Sequence, residues 1–356
     1  MNPEVARMVE CEREIRRLQA EQLRLIATLD IDEWTAHDIG PALQLSPSNA
    51  TDRVTWARVR RHPMAARTAT TPTILGSVND MTVNIPVDTA ERSEAEALYD
   101  LFQAPAQAVR DALGVTQARM GGGIVNSTRT DESGFWSKAL GFGFDEPVTA
   151  ELMGEVCAFY RDAGTPKAVI QLAPTVIPED WTEICAKQGI TAGAKWVKVV
   201  AEVDAVADQA VETEGLEIEP LSPEDGPKWT SVMLEVFGMG DELTPVFVAI
   251  TDREGWRSFT ARLDGEIVTT GTMLVRGETG QCFSGATLPK ARGRGGQTAM
   301  LAARAQAARE AGCRWLVTET GAEGPGEHNT SLRNMLRLGF EVLYERQNWV
   351  WTPKTA

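Results

Sequence analysis

At 356 residues the chain is too long for one small core and suits two domains with an appendage. Apolar residues make up 43% and charged residues 24%, as in soluble globular proteins, and a formal net charge of −15 argues against general affinity for nucleic acid or an anionic membrane. Five scattered cysteines without a Cys-x-x-Cys pair, and only three histidines, leave no metal site expected. Reduced thiols, no apolar run of membrane-span length, and an N-terminus carrying Glu4, Arg7, Glu10 and Glu12 point to a cytoplasmic protein.

Residues 1–30 form an amphipathic helical pattern: Val5, Met8, Val9, Ile15, Leu18, Leu25, Ile26 and Leu29 recur at helical spacings, and Pro3 fits a helix start. Leu45-Ser46-Pro47-Ser48 then separates two short helical stretches, with Ser46 set to cap the second, a pattern suggestive of helix-turn-helix packing. The arm, residues 1–68, resembles the helical region that precedes HNH nuclease domains in actinobacterial repeat proteins. No nuclease part follows here, so no nuclease activity is implied. Arg53, Arg58, Arg60, Arg61 and Arg67 are locally basic, whereas acids predominate over residues 4–38. The preferred reading is a solvated arm or an oligomerisation hairpin that would support a homodimer. Residues 68–73 read as a linker.

A second unit spans 74–203. Residues 93–109 are helical in composition with a break at Pro105, and Gly121-Gly122-Gly123 marks a glycine-rich strand or turn. A helix is expected over 151–162, a buried strand over 168–172, a short helix over 181–187 ended by Gly189, and an alternating strand over 194–200. Residues 204–216 are small and polar and connect to a third segment, 215–353. It opens with Ser222-Pro223-Glu224-Asp225, where Ser222 is placed to cap a helix and Asp225 to complete a capping box. Two short helices are expected over 229–245. Residues 256–263 and 266–275 flank Asp264-Gly265, a two-residue hairpin signal.

The most informative stretch is 281–321: a short strand stopped by Pro289, a helix over 298–310 ended by Gly312, and a strand from Cys313. The join, Arg292-Gly293-Arg294-Gly295-Gly296-Gln297, places three glycines and two guanidiniums ahead of a helix start. Glycine allows close main-chain approach, the first N–H groups of a helix lack partners, and the helix dipole favours negative charge there. Such a join is an anion site, above all for phosphates. A Walker loop would need Gly-Lys-Ser or Gly-Lys-Thr where Gly296-Gln297-Thr298 stands, and the dinucleotide fingerprint would need glycine in place of Thr298.

Arg292-x-x-Gly295 after Ala286-Thr287-Leu288-Pro289 instead resembles the pyrophosphate loop of the Gcn5-related N-acetyltransferases, with Gln297 where that family usually has Gly or Ala. Residues 329–340, ending Gly339-Phe340, resemble the family's fourth helix and its exit, and 341–344 and 348–351 its closing strands. The resemblance implies an acetyl-CoA-binding catalytic lobe over 215–353. The pantetheine arm would run along Ala286, Thr287 and Leu288, and the phosphates would sit at Arg292, Gly293, Arg294, Gly295, Gly296, Gln297 and Thr298. Asn329 would contact the CoA arm, or serve as a plain helix cap. The element order of 151–200 repeats that of 300–351, and 74–203 resembles the degenerate first lobe of tandem acetyltransferases. Its counterpart loop, 141–147, has no Arg, and Asp145 and Glu146 would repel phosphates.

The fold class implied is α/β, of the α+β type: two acetyltransferase-fold lobes, each a central mixed sheet flanked by helices, plus the N-terminal helical arm. The implied function is acetyl-CoA-dependent N-acetyltransfer to a small-molecule amine by direct attack on the thioester. Glu319, at the end of the strand after the helix, is the candidate base. The family's usual Tyr acid falls on Met335, which leaves Tyr344 as a weak substitute. His328, the lone histidine of this segment, sits in a loop where exposure is the commoner state. Two alternatives stand beside this reading. One is a non-catalytic acyl-CoA-binding or sensor protein, for which Met335 speaks; the other is a DNA-associated regulator acting through residues 38–61.

Overall fold

The computed structural model describes residues 83–324 and 327–353, all within one unit, Val78–Ala356. The arm at 1–68, and every expectation attached to it, lies outside the described residues. Proline and glycine punctuate the first half. Pro86 precedes α1 (Val87–Gln103), Pro105 separates it from α2 (Gln107–Leu113), and Gly114 ends α2 in the left-handed conformation. The glycine run at 121–123 is a turn, joining β1 (Val115–Met120) to β2 (Gly123–Thr128) through two residues with positive φ. β3 (Lys138–Leu140) leads to α3 (Ala150–Asp162), capped by the Thr149 side chain. β4 (Ala168–Gln171), α4 (Trp181–Gln188), β5 (Ile190–Glu202) and the short α5 (Val203–Ala207) complete this half.

The second half contains β6 (Glu217–Pro220), α6 (Gly226–Phe237), α7 (Thr244–Ala249), β7 (Trp256–Leu263), β8 (Glu266–Arg276), β9 (Thr279–Thr287), α8 (Gly296–Glu310), β10 (Trp315–Gly321), α9 (Thr330–Arg337) and β11 (Glu341–Trp351). Asp264 and Gly265 both take positive φ, the geometry of a tight hairpin whose twist matches its strands. The capping box expected at Ser222 does not form: a 3-10 turn, Pro223–Asp225, intervenes, neither side chain caps, and Asp225 instead pairs with Arg262 at 2.5 Å. A guanidinium within reach outcompetes the backbone N–H groups for that carboxylate.

All eleven strands join one mixed sheet in the order β1-β2-β3-β4-β11-β5-β10-β9-β8-β7-β6. The two halves exchange strands. β11 lies between β4 and β5 of the first half, while β5 lies between β11 and β10 of the second. Helices cover both faces. α3 and α4 pack with Trp351 of β11, whose ring stacks on Tyr160 at 5.5 Å and is 1% exposed. Burying a side chain of this size contributes about 1.5–3 kcal/mol, so β11 is anchored in the core of the half that its sequence position does not suggest. α5, α8 and α9 cover β5, β9 and β10, and α1, α6 and α7 enclose a third apolar cluster.

Candidate functional site at the β9–β10 fork

Two residues of β9 oppose one of β8. Phe283 faces Thr272 and Ala286 faces Thr270, which leaves Ser284 and Gly285 opposite Gly271, with Ser284 at φ +53. A bulge of this kind bends its strand and increases the local twist. On its other edge β9 pairs with β10, in parallel, only at Thr279, Gly280 and Gln281. Beyond that point the strands part, and a cavity of about 790 Å³ opens between them. The fork is braced by Thr318, whose hydroxyl donates to the Cys282 carbonyl at 3.2 Å. Arg304 of α8 holds the bulge, donating to the carbonyls of Thr272 (3.3 Å) and Phe283 (3.2 Å). Burial without a carboxylate partner lowers the pKa of that guanidinium.

At one end of the cavity lies the start of α8. Gly295 caps it at φ +79, and the first backbone bond of the helix is Ala299 N–H to Gly295 O. The N–H groups of Gly296, Gln297 and Thr298 therefore have no intrahelical partner and line the cavity with Arg292 and Gly293. Arg292 donates to its own strand end at Thr287 O (3.3 Å) and Arg294 to Glu214 O (3.3 Å). Neither guanidinium makes an ion pair among the described residues, so positive charge and unpaired N–H groups coincide there, a fit for a diphosphate. Gln297 bridges to α9, donating to Ser331 and accepting from Asn334, both at 2.6 Å.

At the fork itself sits Glu319, with its side chain only 5% exposed. Its carboxylate accepts from Lys198 Nζ and Gln281 Nε2, each at 2.9 Å. Behind it is a buried cluster that joins elements of the two halves of the chain. Lys198 of β5 bonds Glu94 of α1 at 2.7 Å, and Arg346 of β11 bonds Glu91 at 2.8 Å and Glu94 at 2.6 Å. Burial alone would raise the Glu94 pKa, but Arg346 and Lys198 outweigh it and hold this carboxyl far below its usual range. Glu319 goes the other way. Burial, then the negative charge of Glu94, push it up to about 7 despite Lys198. One of two neighbouring carboxylates is thus kept ionised while the other is poised to exchange a proton near neutrality.

No protein-family model and no curated protein matches the chain. Among solved structures it is similar to a GCN5-related N-acetyltransferase from Kribbella flavida, with a TM-score of 0.51 and 14% identity over 76% of this chain and 98% of that one. The chain has the Gcn5-related N-acetyltransferase fold. A tandem protein of this fold from the clavulanic acid biosynthesis pathway (TM-score 0.47, 15% identity, 75% of this chain and 97% of that one) and a Gcn5-related N-acetyltransferase from Sphaerobacter thermophilus (0.47, 14%, 76% and 95%) align at lower scores. Nothing in these comparisons supports the likeness of residues 1–68 to HNH-associated regions. No helix among the described residues is long and apolar enough to cross a membrane.

Of the residues expected from sequence to serve an acetyltransferase-fold site, Ala286, Thr287, Arg292, Gly293, Gly295, Gly296, Gln297, Thr298 and Glu319 line the cavity, while Leu288, Arg294, Asn329 and Tyr344 do not. The Asn329 side chain is fully engaged as a helix cap: it accepts from Leu332 N–H and donates to Thr320 and to Gly321 O. The Tyr344 hydroxyl donates to Glu91, and burial raises its pKa well above the usual phenol value. His328 is exposed. Met335, where the family's acid would stand, lines the cavity with a thioether. Sequence reasoning missed Glu91, Glu94, Lys138, Lys198, Gln281, Arg304 and Arg346. The available signal was a cation inside an apolar run, as with Lys198 between Val197 and Val199, or Arg304 among alanines.

Proposed function

We propose that the protein is an acetyl-CoA-dependent N-acetyltransferase acting on a small-molecule amine. The observation that carries this is the fork: a β9 edge unpaired beyond Gln281, continuous with the unpartnered N–H groups at the start of α8 and with Glu319 at its root. In this reading the pantetheine amides hydrogen-bond along the free β9 edge at Ala286 and Thr287, and the diphosphate sits at Arg292, Gly293 and residues 295–298, with the Arg294 charge beside the cavity rather than in its wall. Acetyl-CoA supplies the activated acyl group. Glu319 takes the proton of the acceptor ammonium, the free amine attacks the thioester carbonyl, and the C–S bond breaks with its electron pair leaving on the CoA sulfur. The amine's second proton ends on that thiolate, giving amide and free thiol. A thiolate departs readily, so the absence of a phenolic acid at Met335 leaves the sequence of steps intact. Cys282 is a poor covalent intermediary, because burial pushes its thiol pKa up.

The reading is tested by calorimetry with acetyl-CoA on the wild type and on Arg292→Ala with Arg294→Ala. One site, weakened by at least about tenfold in the double variant, is expected from the loss of charge-assisted contacts. No binding by the wild type sinks the reading. A second reading, a non-catalytic acyl-CoA-binding protein, is favoured by Met335 alone. It predicts equal acetyl-CoA binding with no thiol release across an amine panel.

A further inference from the structure

The cavity has a second end, formed by the first lobe, and one charged group there stands apart. Lys138, on β3, is 8% exposed and lines the cavity. The other buried cations nearby each have strong partners: Lys198 touches three carboxylates, Arg346 two, and Arg304 three carbonyls. Among the described residues Lys138 has no carboxylate within 4.0 Å and its ammonium donates no hydrogen bond. Its neighbours are ring faces, Phe135 at 4.4 Å and Trp196 at 5.6 Å from the ring centroids. Such faces attract a cation but accept no strong hydrogen bond, so three N–H donors remain unspent in a nearly closed space. Burial is the first cause of a lowered pKa at this amine, and an anion beside it would restore the charged form.

We propose that Lys138 is the anion receptor of the acceptor half of the cavity, and that the acceptor amine is an apolar or aromatic compound carrying a carboxylate. The chemistry of the walls selects that class. Trp136, Phe247 and Leu98 bound the same space and offer a large apolar body no polar partner. Glu319 attracts the ammonium end of such a molecule, and Lys138 its carboxylate. The charge count agrees. Glu91, Glu94 and Glu319 face Lys198, Arg346 and Lys138, and when Glu319 takes up the acceptor's proton the cluster carries one positive charge in excess. A substrate carboxylate at Lys138 neutralises it. The identity of the ligand as acceptor rests on the acetyltransferase reading; the anion site does not.

The test therefore has an arm that needs no acetyl-CoA. Quenching of tryptophan fluorescence on the full chain is titrated with 3-phenylpropanoate and with 3-phenylpropanol, for the wild type, Lys138→Met and Lys138→Arg. The expected result is preference for the carboxylate, loss of about tenfold in its affinity in Lys138→Met, recovery in Lys138→Arg, and unchanged affinity for the alcohol. Equal response to both probes, or to neither, overturns the proposal. The second arm measures acetyl transfer to phenylalanine and to phenethylamine: the amino acid should be favoured, with Lys138→Met raising KM for it and leaving kcat nearly unchanged. A fall in kcat for both amines alike, or a gain of one acetyl group on Lys138 itself, would make it a nucleophile or a structural residue and overturn the proposal. Carboxylate binding without any acetyl transfer would uphold the anion site and sink the acetyltransferase reading alone.

Discussion

Replacing Glu319 with glutamine separates base chemistry from folding. The carboxylate accepts one bond from Lys198 and one from Gln281, each at 2.9 Å, and the Gln281 carbonyl oxygen is buried with no partner. In Glu319→Gln the new carbonyl oxygen can keep the Lys198 bond, and rotation of the Gln281 amide lets its idle oxygen accept from the new NH2. No donor is left facing a donor. The electrostatics add a sign. The folded-state pKa of Glu319, about 7, lies above its ordinary value of 4.5, so the folded protein holds a proton there that the unfolded chain has lost. Stability therefore falls as pH rises from about 4.5 to about 7, by an amount on the order of 3 kcal/mol, and the cost is complete above that window. Glutamine carries no such cost. Chemical denaturation should find the variant as stable as the wild type at pH 8, or more so, and should flatten the decline between pH 4.5 and 7. Its kcat/KM should drop by about 10² to 10⁴, the usual worth of a positioned base. In the wild type kcat/KM should rise with pH to a plateau, with an inflection near 7 that the variant loses. A variant within threefold of wild-type kcat/KM, with the inflection retained, would refute the assignment of Glu319 as base.

Other substitutions probe the surroundings of the site. Lys198→Met leaves Glu91, Glu94 and Glu319 without their shared cation, and a loss of about 3–5 kcal/mol in unfolding free energy is expected by urea titration. Gly295→Ala puts a methyl group 2.3 Å from the Glu212 carbonyl at a positive φ. Acetyl-CoA affinity, read by calorimetry, should fall by at least tenfold as the start of α8 shifts, with about 1–2 kcal/mol lost in stability from the backbone conformation alone. Acid should unfold the wild type through Glu94. Its folded pKa is depressed, so its contribution is present above 4.5 and is lost as pH falls through the folded value, a loss that Glu94→Gln should remove from the acid limb of a denaturation series.

The sequence discloses whatever depends on a local backbone requirement. Asp264-Gly265 at a hairpin, Gly293 and Gly295 ahead of α8, and Gly189 and Gly339 after parallel helix positions in the two halves each mark a conformation that few residues adopt. Glu319 is legible because it stands at the end of a strand that follows the glycine loop. The rest of the site was hidden for a physical reason. Lys198, Arg346 and Glu94 come from three elements far apart in sequence, and their meeting depends on which strands are neighbours in the sheet. Asn329 and Asp225 show the converse: a residue type suited to two tasks takes the one whose partner lies nearest, and only coordinates reveal that partner.

The placing of β11 between β4 and β5 also constrains how the molecule can be made. β11 follows every other described strand in the sequence, so on the ribosome all of β1 to β10 emerge before the strand that belongs in the middle of the sheet. Until then β4 and β5 each present a bare edge of N–H and C=O groups, and the slot between them fits any extended segment of suitable length. A chain interrupted before residue 341 would keep that slot open and be prone to lend or borrow a strand from a second copy. Closure of the sheet thus waits on β11 rather than being a step of either half, and the Lys198–Glu94–Arg346 cluster, which needs β11 in place, marks a sheet whose slot is filled.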